Sequence, residues 1–83
     1  MKQVVYGRAA LRTLTRIPAN EAKRIRAKIN QYADDPASLV QNVVKLQCRE
    51  GYRLRVGDWR VIFAEDGTVI DIIDIGPRGG IYD

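Results

Sequence analysis

Four arginines are the residues of this chain best suited to chemistry. Arg53 and Arg55 alternate with apolar residues in the stretch Gly51-Tyr-Arg-Leu-Arg-Val-Gly-Asp-Trp-Arg-Val-Ile-Phe63; Arg60 follows the Gly57-Asp58 pair, and Arg78 follows Pro77. A guanidinium stays protonated at any relevant pH and grips phosphate in two places. Gathered over one patch, such groups can bind a polyanion or stabilise charge that builds up on phosphoryl oxygens. The competing reading is an outer strand face carrying long, solvated side chains.

The stretch around them predicts two strands joined by a two-residue turn. Glycine at the first turn position suits a type II′ hairpin, whose twist matches the flanking strands. Successive strand residues point to opposite faces. Tyr52, Leu54, Val56, Trp59, Val61 and Phe63 then share one face, and Arg53, Arg55, Arg60 and Ile62 the other. With Gly57-Asp58 as the loop, Val56 faces Trp59 and Arg55 lies opposite Arg60. Like charges in opposed positions are destabilising, so positive charge is being assembled here at a cost.

Composition bounds the rest. The chain has 83 residues, which points to one domain spanning 1–83 with a thin core. Hydrophobic content of 46% and charged content of 29% are those of an ordinary soluble globular chain. A net charge of +4 favours an anionic partner. No apolar run is long enough to cross a membrane, and Met1–Tyr6 does not resemble a signal peptide. One cysteine, Cys48, fits a reducing cytoplasm. With no histidine in the chain, Cys48 lacks the usual activating partner of a nucleophile, and no Cys/His cluster exists to hold zinc. No cofactor is expected.

In chain order, Lys2–Tyr6 is a β-prone run broken by Gly7. Arg8 to about Thr15 reads as a helix with Ala10, Leu11 and Leu14 on one face, ended by Ile17-Pro18. Asn20 suits an N-cap for a second helix from Glu21 to Ala33, with Ala22, Ile25, Ile29 and Tyr32 as its apolar stripe. Lys23, Arg24, Arg26 and Lys28 cover the remainder, a basic face open to phosphate or to solvent. Ala37–Val44 reads as a loop with a partial turn, and Leu46 as an anchor. Asp66-Gly67 is a type I′ hairpin signal, making Val69–Ile75 a third consecutive strand. Counting from that turn pairs Ile62 with Asp71 and Arg60 with Ile73, and puts Ile73 and Ile75 on the arginine face. Asp71 is then diagonal to Arg60, placed for an ion pair; general-base work is disfavoured, because neighbouring arginines depress a carboxylate pKa. The expected fold class is α+β: a β-α-α-β-β-β two-layer domain. It has an antiparallel three-strand meander plus an N-terminal strand, with two helices packed on one face.

The Lys45-Leu46 pair, the Gly51–Phe63 hairpin, the Ile72-Ile-Asp-Ile-Gly-Pro-Arg78 stretch and Ile81-Tyr82 resemble the RelE/ParE superfamily of bacterial toxins. The likeness covers nearly the whole chain. Its RelE-like members cleave mRNA in the decoding site of the ribosome, using no metal; the ribose 2′-OH attacks the adjacent phosphate. The resemblance implies Arg60, Arg78 and Tyr82 as catalytic residues, with Arg53, Arg55 and Lys45 binding RNA phosphates. An RNA substrate supplies the 2′-OH that DNA lacks. Two departures stand out. Arginines replace the lysines that some RelE-like members carry at 53 and 55, and Gly76-Pro77-Arg78 replaces a common Gly-His-Arg turn. Tyr82, Asp71 and the carboxylates of Asp83 are then the proton acceptors left, and Tyr82 is the candidate general base.

Two functions from different classes follow from the resemblance. One is a ribosome-dependent mRNA endonuclease that inhibits translation. The other is a non-enzymatic ParE-like inhibitor of DNA gyrase; a degenerate, non-toxic member is a third possibility. A cognate antitoxin is the implied protein partner, and an acidic, partly disordered segment that folds onto the basic surface suits it.

Overall fold

Glycine turns and apolar alternation build most of the sheet. The computed structural model describes residues 2–47 and 49–79. In chain order the elements are β1 (Gln3–Tyr6), α1 (Arg8–Arg16), α2 (Ala19–Asp34), a 3-10 segment (Pro36–Asn42), β2 (Val43–Lys45), β3 (Tyr52–Val56), β4 (Trp59–Asp66) and β5 (Val69–Pro77). The strands form one sheet in the order β1-β5-β4-β3-β2. β1 runs parallel to β5; every other neighbour is antiparallel. The α+β class, the meander β3-β4-β5 and the N-terminal strand are as expected. The short strand β2 is an addition. It pairs with β3 and lies within a region that sequence pattern alone marks as loop.

The two helices cover one sheet face. Ala10, Leu14, Ile25, Ile29, Tyr32 and Ala33 close onto Leu54, Val56, Val61, Phe63, Ile70, Ile72 and Ile75, with Leu39 of the 3-10 segment at the margin. Phe63 is the centre, with the Tyr32 ring tilted against it at 5.0 Å and the Tyr52 ring stacked on it at 5.5 Å between centroids. Leu11, expected on the buried face of α1, is instead 42% exposed.

Helix α2 begins earlier than the Asn20 cap signal implies. Pro18 occupies the N-cap position with φ −56°, and its carbonyl accepts hydrogen bonds from the amides of Glu21 and Ala22, each at 3.0 Å. Proline's fixed φ sets the first turn in place of a side-chain cap, so Asn20 lies inside the helix and caps nothing.

The β4–β5 connection also corrects the sequence reading. Asp66 pairs with Val69, so the loop is Gly67-Thr68 rather than Asp66-Gly67. Gly67 has φ +55° and, among the described residues, no non-glycine has positive φ. That is the sign pattern of a II′ turn, the same as at Gly57 with φ +58°. A second effect is a β-bulge: Phe63 pairs with Ile72 but Ile62 pairs with Asp74, leaving Ile73 as the extra residue. One extra residue reverses the alternation beyond it. Ile75 therefore enters the core opposite Val61, not the arginine face. Asp71 pairs with Ala64 and Arg60 with Gly76. Asp71 is thus four residues along the sheet from Arg60, roughly 13 Å, and the expected Arg60–Asp71 ion pair does not form.

The N-terminal strand is fastened by a three-membered network. Lys2 Nζ meets Glu65 Oε2 at 2.5 Å, and the Tyr32 hydroxyl donates to Glu65 Oε1 at 2.5 Å. Burial pushes the Glu65 pKa up. The hydrogen bonds from Lys2 and Tyr32, together with the Lys2 charge, outweigh it and hold the carboxyl below its ordinary value. A depressed carboxylate contributes stability that is complete above the unfolded value, ~4.3, and is lost as the pH falls through the folded one. A Glu65→Gln variant should therefore show a shallower loss of stability on acidification than the wild type, measured by thermal melts across an acid pH series.

Candidate nucleic-acid interface

The hairpin aligns its arginines as the alternation predicts. Arg55 pairs with Arg60, Arg53 with Ile62, and Val56 with Trp59 across the Gly57-Asp58 turn. Arg53, Arg55 and Arg60 leave the sheet on the face away from the helices. Gly76, opposite Arg60 on β5, brings no side chain against it. The Arg78 amide donates to the Asp58 carbonyl at 2.8 Å. That bond draws the end of β5 up to the β3–β4 turn and delivers a fourth arginine to the same place.

These four side chains line an open bowl of about 680 Å³ with Arg24 and Lys28 of α2, Gln41 and Asn42 of the 3-10 segment, and Asp58. Among the described residues, six cations thus share the bowl with one carboxylate. Among the described residues the salt bridge is Lys2–Glu65, outside the bowl, and Arg24, Arg55, Arg60 and Arg78 pair with no described carboxylate. Uncompensated guanidinium groups held by strands are preorganised for an anion with several charged oxygens.

One expected site residue, Lys45, stands elsewhere. Lys45 pairs with Tyr52 at the far end of β3, and opposed residues share a face, so Lys45 leaves from the side opposite Arg53. It lines a separate depression with Glu50, Tyr52 and Glu65. Tyr82 falls outside the described residues.

Sequence reasoning saw a basic face on α2 but not which part of it turns toward the arginines. Arg24 and Lys28 flank the buried Ile25–Ile29 stripe on the side that meets the hairpin. Arg26 lies on the other flank, its guanidinium 5.0 Å from the centre of the Tyr6 ring. The usable signal was the side of the apolar stripe on which each cation falls. Gln41 and Asn42 gave no signal. Their placement depends on the 3-10 segment and on an Asn42 Nδ2 hydrogen bond to the Arg55 carbonyl at 3.4 Å.

Comparison with known proteins matches this architecture. The family model of the ParE toxin of the type II toxin–antitoxin system, parDE, matches residues 4–82. Among solved structures, the chain is similar to one in the archaeal RelE–RelB complex from Pyrococcus horikoshii, with 26% identity and a TM-score of 0.78 over 96% of this chain and 98% of that one. The toxin–antitoxin complex RelBE2 from Mycobacterium tuberculosis aligns at 20% identity and a TM-score of 0.67, covering 93% and 98% of the two chains. The intact RelBE toxin–antitoxin complex of E. coli aligns at 16% identity and 0.70, covering 93% and 96%. At those two identities the likeness is one of fold. No curated protein sequence matches significantly. A family model that spans all five strands and both helices leaves little of the chain unaccounted for: this is a member of the RelE/ParE superfamily, a toxin of a type II toxin–antitoxin system.

Proposed function

We propose that this toxin is an endoribonuclease that cleaves mRNA in the decoding site of the ribosome and so inhibits translation. The observation that carries the reading is the convergence of Arg53, Arg55, Arg60 and Arg78 with Arg24 and Lys28 around one bowl. Cleavage proceeds by attack of a ribose 2′-oxygen on the adjacent phosphorus. The 2′-proton passes to a base, the bond from phosphorus to the 5′-oxygen breaks, and that oxygen takes up a proton. The arginines neutralise charge on the non-bridging oxygens. Tyr82 is the base that the resemblance supplies.

Toxins of the solved relatives are found bound to their antitoxins, and a cognate antitoxin is the protein partner proposed here. The cytoplasm, where translating ribosomes are met, is the proposed site of action.

A second reading has its own support. The matching family model is that of ParE, and Asp58 is the one carboxylate among the described residues lining the bowl. Both favour inhibition of DNA gyrase by binding alone. Primer extension on mRNA from translating ribosomes separates the two. Endonuclease action gives new 5′ ends, and Tyr82→Phe lowers their yield by roughly 10²–10⁴-fold, the range for loss of an acid–base group. Intact transcripts together with blocked supercoiling would replace the nuclease with the inhibitor. Full cleavage by the Tyr82→Phe variant would remove Tyr82 from the mechanism.

A further inference from the structure

The bowl is wider than the four arginines need, and the excess comes from α2. Glu21, Arg24, Lys28 and Gln31 recur at three- and four-residue steps, which stack them along one flank of the helix. The Trp59 indole N–H donates to Glu21 Oε2 at 3.2 Å, tying the start of this flank to the first residue of β4. One turn later, the Arg24 guanidinium lies over Gly57: a Cβ built there would come within 2.8 Å of Arg24 Nη2. Lys28 follows, its Nζ 3.4 Å from Gln31 Oε1. The flank therefore runs from the tip of the hairpin along the wall of the bowl.

Two rows of cations result. Arg53 and Arg55 are two residues apart on a strand, about 6.6–6.8 Å along the sheet. Arg24 and Lys28 are four residues apart on a helix, about 6 Å along its axis. Both steps are close to the distance between neighbouring phosphates in an extended strand. The Gly57 backbone and Asp58 of the turn line the bowl with both rows. The bowl volume of about 680 Å³ lies within the ~300–1,000 Å³ range of pockets for drug-sized ligands, with room for a short single-stranded segment and not for a duplex.

We propose that Arg24 and Lys28 form a second phosphate-binding row, so that single-stranded RNA crosses from the arginine face over the Gly57 turn onto α2. The row holds the phosphates flanking the one under Arg60 and Arg78, and it positions substrate without touching the reacting atoms. The inference rests on the RNA reading above and assigns to α2 a part in it.

The test is binding alone. A fluorescein-labelled, 2′-O-methylated single-stranded RNA cannot be cut by 2′-oxygen attack, so anisotropy against the full chain across a salt series reads affinity and its salt slope. Each single-strand phosphate that the protein no longer neutralises reduces the slope of log K against log [salt] by ~0.7. The Arg24→Gln/Lys28→Gln pair should flatten the slope by about 1.4 and weaken binding at least about tenfold at 0.1 M salt. Arg12→Gln/Lys23→Gln removes the same charge from positions outside the bowl and should leave the slope at the wild-type value. The charge-keeping pair Arg24→Lys/Lys28→Arg should recover most of the affinity, which a folding defect would not allow. Equal slopes for the two glutamine pairs, with the wild type binding, overturn the α2 row and leave the RNA reading standing. A wild type that shows no salt-dependent binding also overturns the α2 row, while primer extension on mRNA from translating ribosomes decides the RNA reading by itself.

Discussion

Replacing Arg60 with alanine is expected to lower single-turnover cleavage of ribosome-bound mRNA by roughly 10²–10³-fold, the cost of losing one preorganised donor from a developing oxyanion. Arg60 lies in the middle of the cation cluster, opposite Arg55 on one side and Gly76 on the other. It forms no ion pair with a described carboxylate, so its removal breaks no structural bond and relieves repulsion with Arg55. The melting temperature should stay level or rise while activity falls, a combination that a merely structural arginine would not produce. Arg60→Lys keeps the charge but loses the planar fork, and should fall between the two. Cleavage at the wild-type rate by Arg60→Ala would place the reacting phosphate elsewhere.

The second large effect is on the fold. Phe63→Ala should cost about 3–5 kcal/mol, the usual range for deleting a buried aromatic ring. Phe63 is 1% exposed and its ring contacts both Tyr32 and Tyr52, so neighbours on two sides would lose a partner together. At ~0.05–0.15 kcal/mol per residue, a chain of 83 residues has a total stability of order 4–12 kcal/mol. Denaturant titration should thus find the variant near or below the point of unfolding at 37 °C. Phe63→Leu keeps most of the volume and should lose much less. Similar losses for both variants would mean that the ring is not the centre of the core.

Some of this was legible from residue order alone, and the reasons are local. The Gly57-Asp58 turn fixed the β3–β4 register, because a two-residue loop allows one pairing; Arg55 therefore fell opposite Arg60 as expected. The β5 register was not legible. Asp66-Gly67 and Gly67-Thr68 are rival turns at the same glycine, and the choice moves every partner by two. The bulge at Ile73 then inverts the faces beyond it, and the run Ile72-Ile-Asp-Ile75 gives no sign of which isoleucine is extra. Ile73 ends 41% exposed, whereas Ile72 and Ile75 are buried. In the bowl, the strand arginines followed from alternation. The contribution of α2 depends on how a helix rolls against a sheet, and Glu21 on the helix, with Gly57 and Trp59 on the hairpin, set that roll from two distant parts of the chain.

The sheet order carries a kinetic consequence. β1 has its hydrogen-bonding partner in β5, with Gln3 aligned to Val69, so among the described strands the first is paired by the last. During synthesis, β1 has no template until β5 has left the exit tunnel. Pairings this distant in sequence slow folding.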